Sequence, residues 1–157
     1  MYISLFDMFK IGIGPSSSHT VGPMRAARRF LVEMSDADFA RIHRVEVELY
    51  GSLAHTGHGH GTDMAIMLGL EGEVPDHVDT STVPQRVHAI RASREISLLG
   101  KTRVHFDPDR ELIFNRAMNS RVAASPCRAI SFSINISCSG FFAALASSNN
   151  SAIVSKW

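Results

Sequence analysis

Apolar positions recur along this chain with two different spacings, and each spacing predicts an element. From Thr20 to Met34, the residues Met24, Ala27, Leu31 and Met34 fall on one face, while Arg25, Arg28 and Arg29 fall largely elsewhere. That is an amphipathic helix, and Pro23 sits in its first turn, where a missing N–H costs nothing. Val45, Val47 and Leu49 alternate with Glu46, Glu48 and Tyr50, the period of a half-buried strand. Ile130, Phe132, Ile134, Ile136 and Cys138 alternate in the same way with Ser131, Ser133, Asn135, Ser137 and Ser139. This second strand has no evident partner, which predicts a poorly ordered or associating segment.

Other elements are announced by their ends. Ser4-Leu5-Phe6-Asp7 reads as a capping box that opens a short helix. Thr62 or Asp63 can cap a helix running through Leu68. Pro84 starts another, with Val87, Ile90, Arg91, Arg94 and Leu98 giving it mixed faces. KTRVHF and ELIF, separated by Asp107-Pro108-Asp109, read as a hairpin. Two segments follow neither period: GIGPSSSHTVGP before the first helix, and the glycine-punctuated loop GSLAHTGHGHGTD after the first strand. The predicted fold class is α/β (α+β), a mixed sheet with helices packed on it. There is no internal repeat.

Composition sets the bounds. At 157 residues, 45% hydrophobic and 20% charged, the chain has the makings of one core domain, with room for an appendage. Net charge is +1, so no global field recruits nucleic acid or an anionic membrane. That balance hides an asymmetry. All 15 acidic residues lie at or before Glu111, against 12 basic ones; Leu112 to Trp157 holds four basic residues and no acidic one. The shift marks a boundary between about residues 114 and 120, dividing a domain at 1–116 from a serine-rich tail at 117–157. Two cysteines, Cys127 and Cys138, make neither a disulfide framework nor a four-cysteine metal site. The opening MYISLFDMFKIGIG lacks the pattern of a signal peptide, and a cytoplasmic setting is expected.

The two irregular segments carry the chemistry. Pro15-Ser16-Ser17-Ser18-His19-Thr20 precedes a helix, whose unpaired N–H groups and hydroxyls suit a carboxylate or phosphate. The same residues also read as a serine-rich turn that only caps its helix, and no lysine makes it a Walker loop. His55, His58 and His60 lie between glycines that allow close approach to a ligand. One of them can serve as a general base, three can bind zinc in an incomplete ligand set, or the loop is a solvated histidine cluster. Asp63 orients an imidazole or caps its helix. His43, His77, His88 and His105 read as surface side chains, and the arginine triplet as a solvated face.

ISLFDMFKIGIGPSSSHTVGPM and YGSLAHTGHGHGTDMAIMLGL closely resemble the amino-terminal β domain of iron–sulfur-dependent bacterial L-serine dehydratases. The resemblance covers about residues 2 to 114. It implies a domain like the small substrate-binding regulatory domain of some phosphoglycerate dehydrogenases, packed against a helical α domain with the active site between them. It also implies a mechanism without pyridoxal phosphate. The open iron of a 4Fe–4S cluster acts as a Lewis acid on L-serine. A base takes the α-proton, water leaves, and the aminoacrylate tautomerises and is hydrolysed to pyruvate and ammonia.

By motif position, Ser16, Ser17, Ser18, His19 and Thr20 match the family's serine–histidine loop. His60, in Gly59-His60-Gly61-Thr62-Asp63, matches the histidine favoured as proton acceptor, with His19 assisting and Thr62 and Asp63 on the substrate side. His58 stands where many relatives have lysine and receives no role. The likeness ends near Phe114, and neither cysteine matches a cluster ligand. The resemblance therefore implies an incomplete β domain that holds no cluster itself, needs the missing α domain, and belongs to a homo-oligomer when intact. The tail suits a frameshifted or misjoined reading frame, or a divergent carboxyl end. The competing class is a module that binds L-serine or another anion and regulates a partner without catalysis.

Overall fold

The computed structural model describes residues 14, 16–116 and 130, and the backbone of residues 131–136. The Ser4–Asp7 capping box, Pro15, both cysteines and the rest of the tail lie outside them.

The first helix, α1 (Val21–Val32), buries Met24, Ala27 and Leu31 as their spacing predicts, together with Ala26 and Phe30. Arg25 and Arg29 are exposed as predicted, but Arg28 is half-buried, and its Nε donates to the Gly72 carbonyl at 3.1 Å. A short helix, α2 (Asp36–Phe39), is capped by Ser35, whose hydroxyl accepts the Asp38 N–H. The strand β1 (Ile42–Leu49) fully buries Val45, Val47 and Leu49. Glu46 and Glu48 between them remain half-exposed, as their alternation requires.

The segment predicted as a glycine-rich loop is instead a helix, α3 (Gly51–His60), followed after one residue by α4 (Thr62–Leu70). Glycine costs a helix roughly 1 kcal/mol per residue relative to alanine, so local propensity opposes α3. Burial of Leu53, Ala54 and Gly57 offsets that cost. A Cβ on Gly57 would lie 3.0 Å from the Phe114 ring and 3.1 Å from the Thr62 hydroxyl. Gly61 breaks the two helices apart at φ +74°, a left-handed conformation that glycine adopts without strain. Neither Thr62 nor Asp63 caps α4, because Gly61 occupies the N-cap position.

From Ala65 to Leu70, α4 is buried on every side. It crosses α1 at Gly69, where an added Cβ would fall 2.3 Å from the Met24 carbonyl oxygen and 3.0 Å from the Ala27 side chain. Gly→Ala inside a helix ordinarily stabilises by about 0.5–1 kcal/mol. At Gly69 the sign reverses, because a backbone oxygen cannot rotate aside as a side chain would. Gly69→Ala is expected to lower unfolding free energy by about 1–3 kcal/mol, measured by urea denaturation.

Helix α5 (Val83–Ser93) carries Pro84 in its first turn, as predicted. It stops at Arg94 (φ 54°) and does not run on to Leu98. Residues from Glu95 onward bury Ile96 and Leu98 with period two, forming β2 (Glu95–Leu98). The hairpin is therefore β2 with β3 (Thr102–His105), which pair antiparallel. The predicted hairpin of KTRVHF with ELIF does not form. A short helix, α6 (Pro108–Glu111), intervenes, and β4 (Leu112–Phe114) runs parallel to β1. Asp107 caps α6. The buried Glu111 carboxylate takes both the Asp107 N–H and Arg44 Nε.

Both β3 and β4 pair with β1 in parallel, at Arg44↔His105 and at Val47↔Leu112 through Leu49↔Phe114. The strand β5 (Ile130–Ile136) pairs antiparallel along β1, from Ile42↔Ile136 to Leu49↔Ile130. Since β5 spans the same β1 residues, it occupies the opposite edge from β3 and β4. The alternating serine-rich stretch thus finds its partner within the domain's own sheet, where the sequence predicted a segment left on its own. The class is the predicted mixed α/β sheet with helices packed on it.

On the surface, Arg86 donates to Glu73 at 2.6 Å and to Glu71 at 2.6 Å. Burial works against its charge, yet those two carboxylates hold the guanidinium above its ordinary range. No helix among the described residues is long and apolar enough to cross a membrane.

Candidate functional site

Strand β1 delivers the chain into α3, and α4 then returns into the core. Two buried threonines hold the serine turn that precedes α1: Thr62 fastens it onto this helix pair, and Thr20 closes the turn on itself. Thr62 Oγ1 donates to the His19 carbonyl at 2.8 Å, and Thr20 Oγ1 donates to the Ser16 carbonyl at 2.8 Å. Gly14 packs so closely that a Cβ there would lie 3.1 Å from the His60 carbonyl oxygen. Two segments about 40 residues apart are thereby held against each other.

The outcome is a pair of imidazoles side by side. The rings of His19 and His60 have centroids 4.8 Å apart and are tilted by 34°. His60 Nδ1 bonds to the Thr56 carbonyl at 2.8 Å; a carbonyl only accepts, so Nδ1 carries the hydrogen. Its Nε2 has no hydrogen-bond partner among the described residues. Both nitrogens of His19 are engaged: Nε2 with Thr56 Oγ1 at 2.9 Å, and Nδ1 with the hydroxyls of Ser16 at 3.2 Å and Ser18 at 3.0 Å. The two hydroxyls are themselves 3.1 Å apart.

Of the residues that the sequence singles out, Ser16, Ser18, His19 and His60 are brought together. Ser17 is exposed, with no side-chain partner among the described residues. The backbone N–H groups of Ser17 and Ser18 meet no acceptor among the described residues, because the turn bonds begin at His19 N and Thr20 N. Thr20 and Thr62 are at 0% exposure with their hydroxyl hydrogens committed to carbonyls, which suits holding the turn in place. Asp63 orients no imidazole. Its carboxylate meets Arg91 at 2.7 Å, and Arg91 also lies 3.6 Å from Asp109.

His55 is exposed, and His58 stacks on Phe114 with centroids 3.8 Å apart. His105 is mostly exposed, with Nδ1 3.6 Å from the Glu111 carboxylate. Thr56, which touches both rings, was missed. Its signal is the spacing Ser52, Thr56, His60, which has meaning only on a helix.

Chemically, this arrangement can accept a proton at His60 Nε2 and hold an anion at the serine turn. The described residues do not fit an iron–sulfur cluster. None is a cysteine, and no group of three or more His, Cys, Asp or Glu among them is arranged to hold a metal ion. A separate cavity of about 330 Å³ lies between α5 and the β2–β3 hairpin, lined by Arg86, Ile90, Ser93 and Arg103 among others. It includes none of the paired-histidine residues.

A family model described as serine dehydratase beta chain matches residues 4–135. The L-serine dehydratase of Streptomyces coelicolor is 52% identical over 117 residues, covering 74% of this chain and 26% of that protein. The Haemophilus influenzae L-serine dehydratase is 43% identical over 116 residues, covering 73% and 26%. L-serine dehydratase 2 of Escherichia coli is 44% identical over 115 residues, covering 72% and 25%. The chain spans about a quarter of the length of the curated relatives it matches.

Proposed function

The chain belongs to the serine dehydratase beta chain family, and on that premise we propose that it supplies the substrate-binding and proton-accepting half of an L-serine dehydratase active site. The reaction is loss of water from L-serine to give aminoacrylate, which tautomerises and takes up water to yield pyruvate and ammonia. The observation that carries this reading is the His19–His60 pair, seated on the serine turn, in which His60 Nε2 is the one ring nitrogen without a partner among the described residues.

In this reading the serine carboxylate sits on the Ser17 and Ser18 amides and the Ser17 hydroxyl, where fixed donors favour a negative charge. That places Cα toward the paired rings, and Nε2 of His60 takes the α-proton. His19, with both nitrogens held, keeps the Ser16 and Ser18 hydroxyls and the turn in place beside the substrate. Thr20, Thr62 and the Asp63–Arg91 pair hold the turn and the helices in register, which gives these sequence-matched residues a supporting part.

In the intact family enzyme an iron–sulfur cluster would supply Lewis-acid activation of the departing hydroxyl. Two cysteines are too few to hold a 4Fe–4S cluster. That part of the site therefore belongs to a cluster-bearing α domain as partner, and the 157-residue chain binds L-serine without turning it over.

Nuclear magnetic resonance of the purified chain tests this. Titration with L-serine is expected to shift the imidazole resonances of His19 and His60 to saturation, with no pyruvate released. Pyruvate formation is expected once a cluster-bearing α domain is restored. Pyruvate from the chain alone would overturn the division of labour. Unmoved imidazole resonances at saturating serine would overturn the binding role.

A further inference from the structure

We propose that Thr56 is a positioning residue that sorts the two imidazoles into opposite tautomers, which leaves His60 Nε2 as the proton acceptor of the pair. The inference deepens the proposed function and rests on it for its catalytic meaning, but the tautomers themselves are properties of this chain alone.

The argument follows single hydrogens. Thr56 Oγ1 has one hydrogen, and it points to the Ser52 carbonyl at 2.9 Å, one helical turn back. A carbonyl only accepts, so the hydroxyl oxygen presents lone pairs to its other neighbour. That neighbour is His19 Nε2 at 2.9 Å, which must therefore carry a hydrogen. In the neutral ring Nδ1 is then an acceptor, and the hydroxyls of Ser16 and Ser18 lie at 3.2 and 3.0 Å to donate into it. The Thr56 carbonyl fixes His60 in the reverse sense, with Nδ1 donating at 2.8 Å and Nε2 left with its lone pair.

One residue thus addresses both rings, by its side chain and by its backbone. This works because α3 places Ser52, Thr56 and His60 on one face at successive turns. It also explains why two histidines with centroids 4.8 Å apart are not equivalent. The serine hydroxyls occupy the basic nitrogen of His19, whereas that of His60 has no partner among the described residues.

The test is the ring-proton pattern of the ¹⁵N-labelled chain, read by long-range proton–nitrogen correlation where both rings are neutral. The expected pattern is Nε2–H for His19 and Nδ1–H for His60. Thr56→Val removes the hydroxyl but keeps the carbonyl. It is expected to shift His19 toward the Nδ1–H form while His60 stays as it was, and Thr56→Ser is expected to restore the parent pattern. A general loosening of the fold would move both rings, so the asymmetric response separates positioning from mere structure. Retention of Nε2–H on His19 in Thr56→Val, or the opposite tautomer on either ring in the parent chain, would overturn the proposal. The parent measurement decides even if the valine variant fails to fold. Tautomers as expected but no response to L-serine would count against the proposed function and leave this inference standing.

Discussion

Replacing His60 with alanine is expected to lower serine turnover by a factor of about 10² or more, with a smaller change in serine affinity. The setting is an assembled enzyme in which this chain stands in for the matching quarter of the Streptomyces coelicolor relative. A hundredfold loss corresponds to about 2.7 kcal/mol of barrier, a size that fits removal of a positioned proton acceptor. The decisive measurement is exchange of the serine α-hydrogen with solvent. His60→Ala should suppress it, because the lone pair on Nδ1 of His19 is already engaged by the Ser16–Ser18 hydroxyl pair. Exchange that persists in His60→Ala and disappears in His19→Ala would reverse the two roles.

Phe106→Ala is expected to destabilise the chain by about 3–5 kcal/mol, the range for truncating a large aromatic in a core. Phe106 is fully buried within the main cluster, just past the end of β3. Its backbone N–H also donates to the Arg94 carbonyl at 2.9 Å, so the residue cannot swing out to let the void collapse. Against a total of about 5–15 kcal/mol for an ordinary domain, such a loss takes about a fifth or more of the margin. Urea unfolding should show a lower midpoint at unchanged slope. A loss under about 1 kcal/mol would mean that the surrounding side chains repack freely, contrary to the close fit seen at Gly57 and Gly69.

Several features were legible from residue order because a single period expresses them. The α1 face of Met24, Ala27 and Leu31 and the alternation of Val45, Val47 and Leu49 in β1 depend only on which side of an element meets the core, and alternation in the sequence also marks the strand β5. The motif strings around Ser16–Thr20 and His60 were legible too, since matching a family needs no geometry. They single out both histidines, whose rings the fold brings to 4.8 Å.

What residue order left open depended on partners far along the chain. Helix α3 opposes its own glycine content, and it exists because Leu53, Ala54 and Gly57 find buried places against α4 and Phe114. KTRVHF and ELIF look like a hairpin locally, yet β3 and β4 both take β1 as a parallel partner. Asp63 reads as a cap until Arg91, 28 positions away, supplies the opposite charge. Thr56 is anonymous in a loop and becomes the link between two rings only when one turn of helix separates it from His60. Periodicity and motif identity are properties of the chain itself, so the sequence alone determined the class of fold, the family and the identity of the paired histidines. Hydrogen-bond direction, ring tautomer and strand partner are properties of groups distant in sequence and adjacent in space, and the tertiary structure alone decided those.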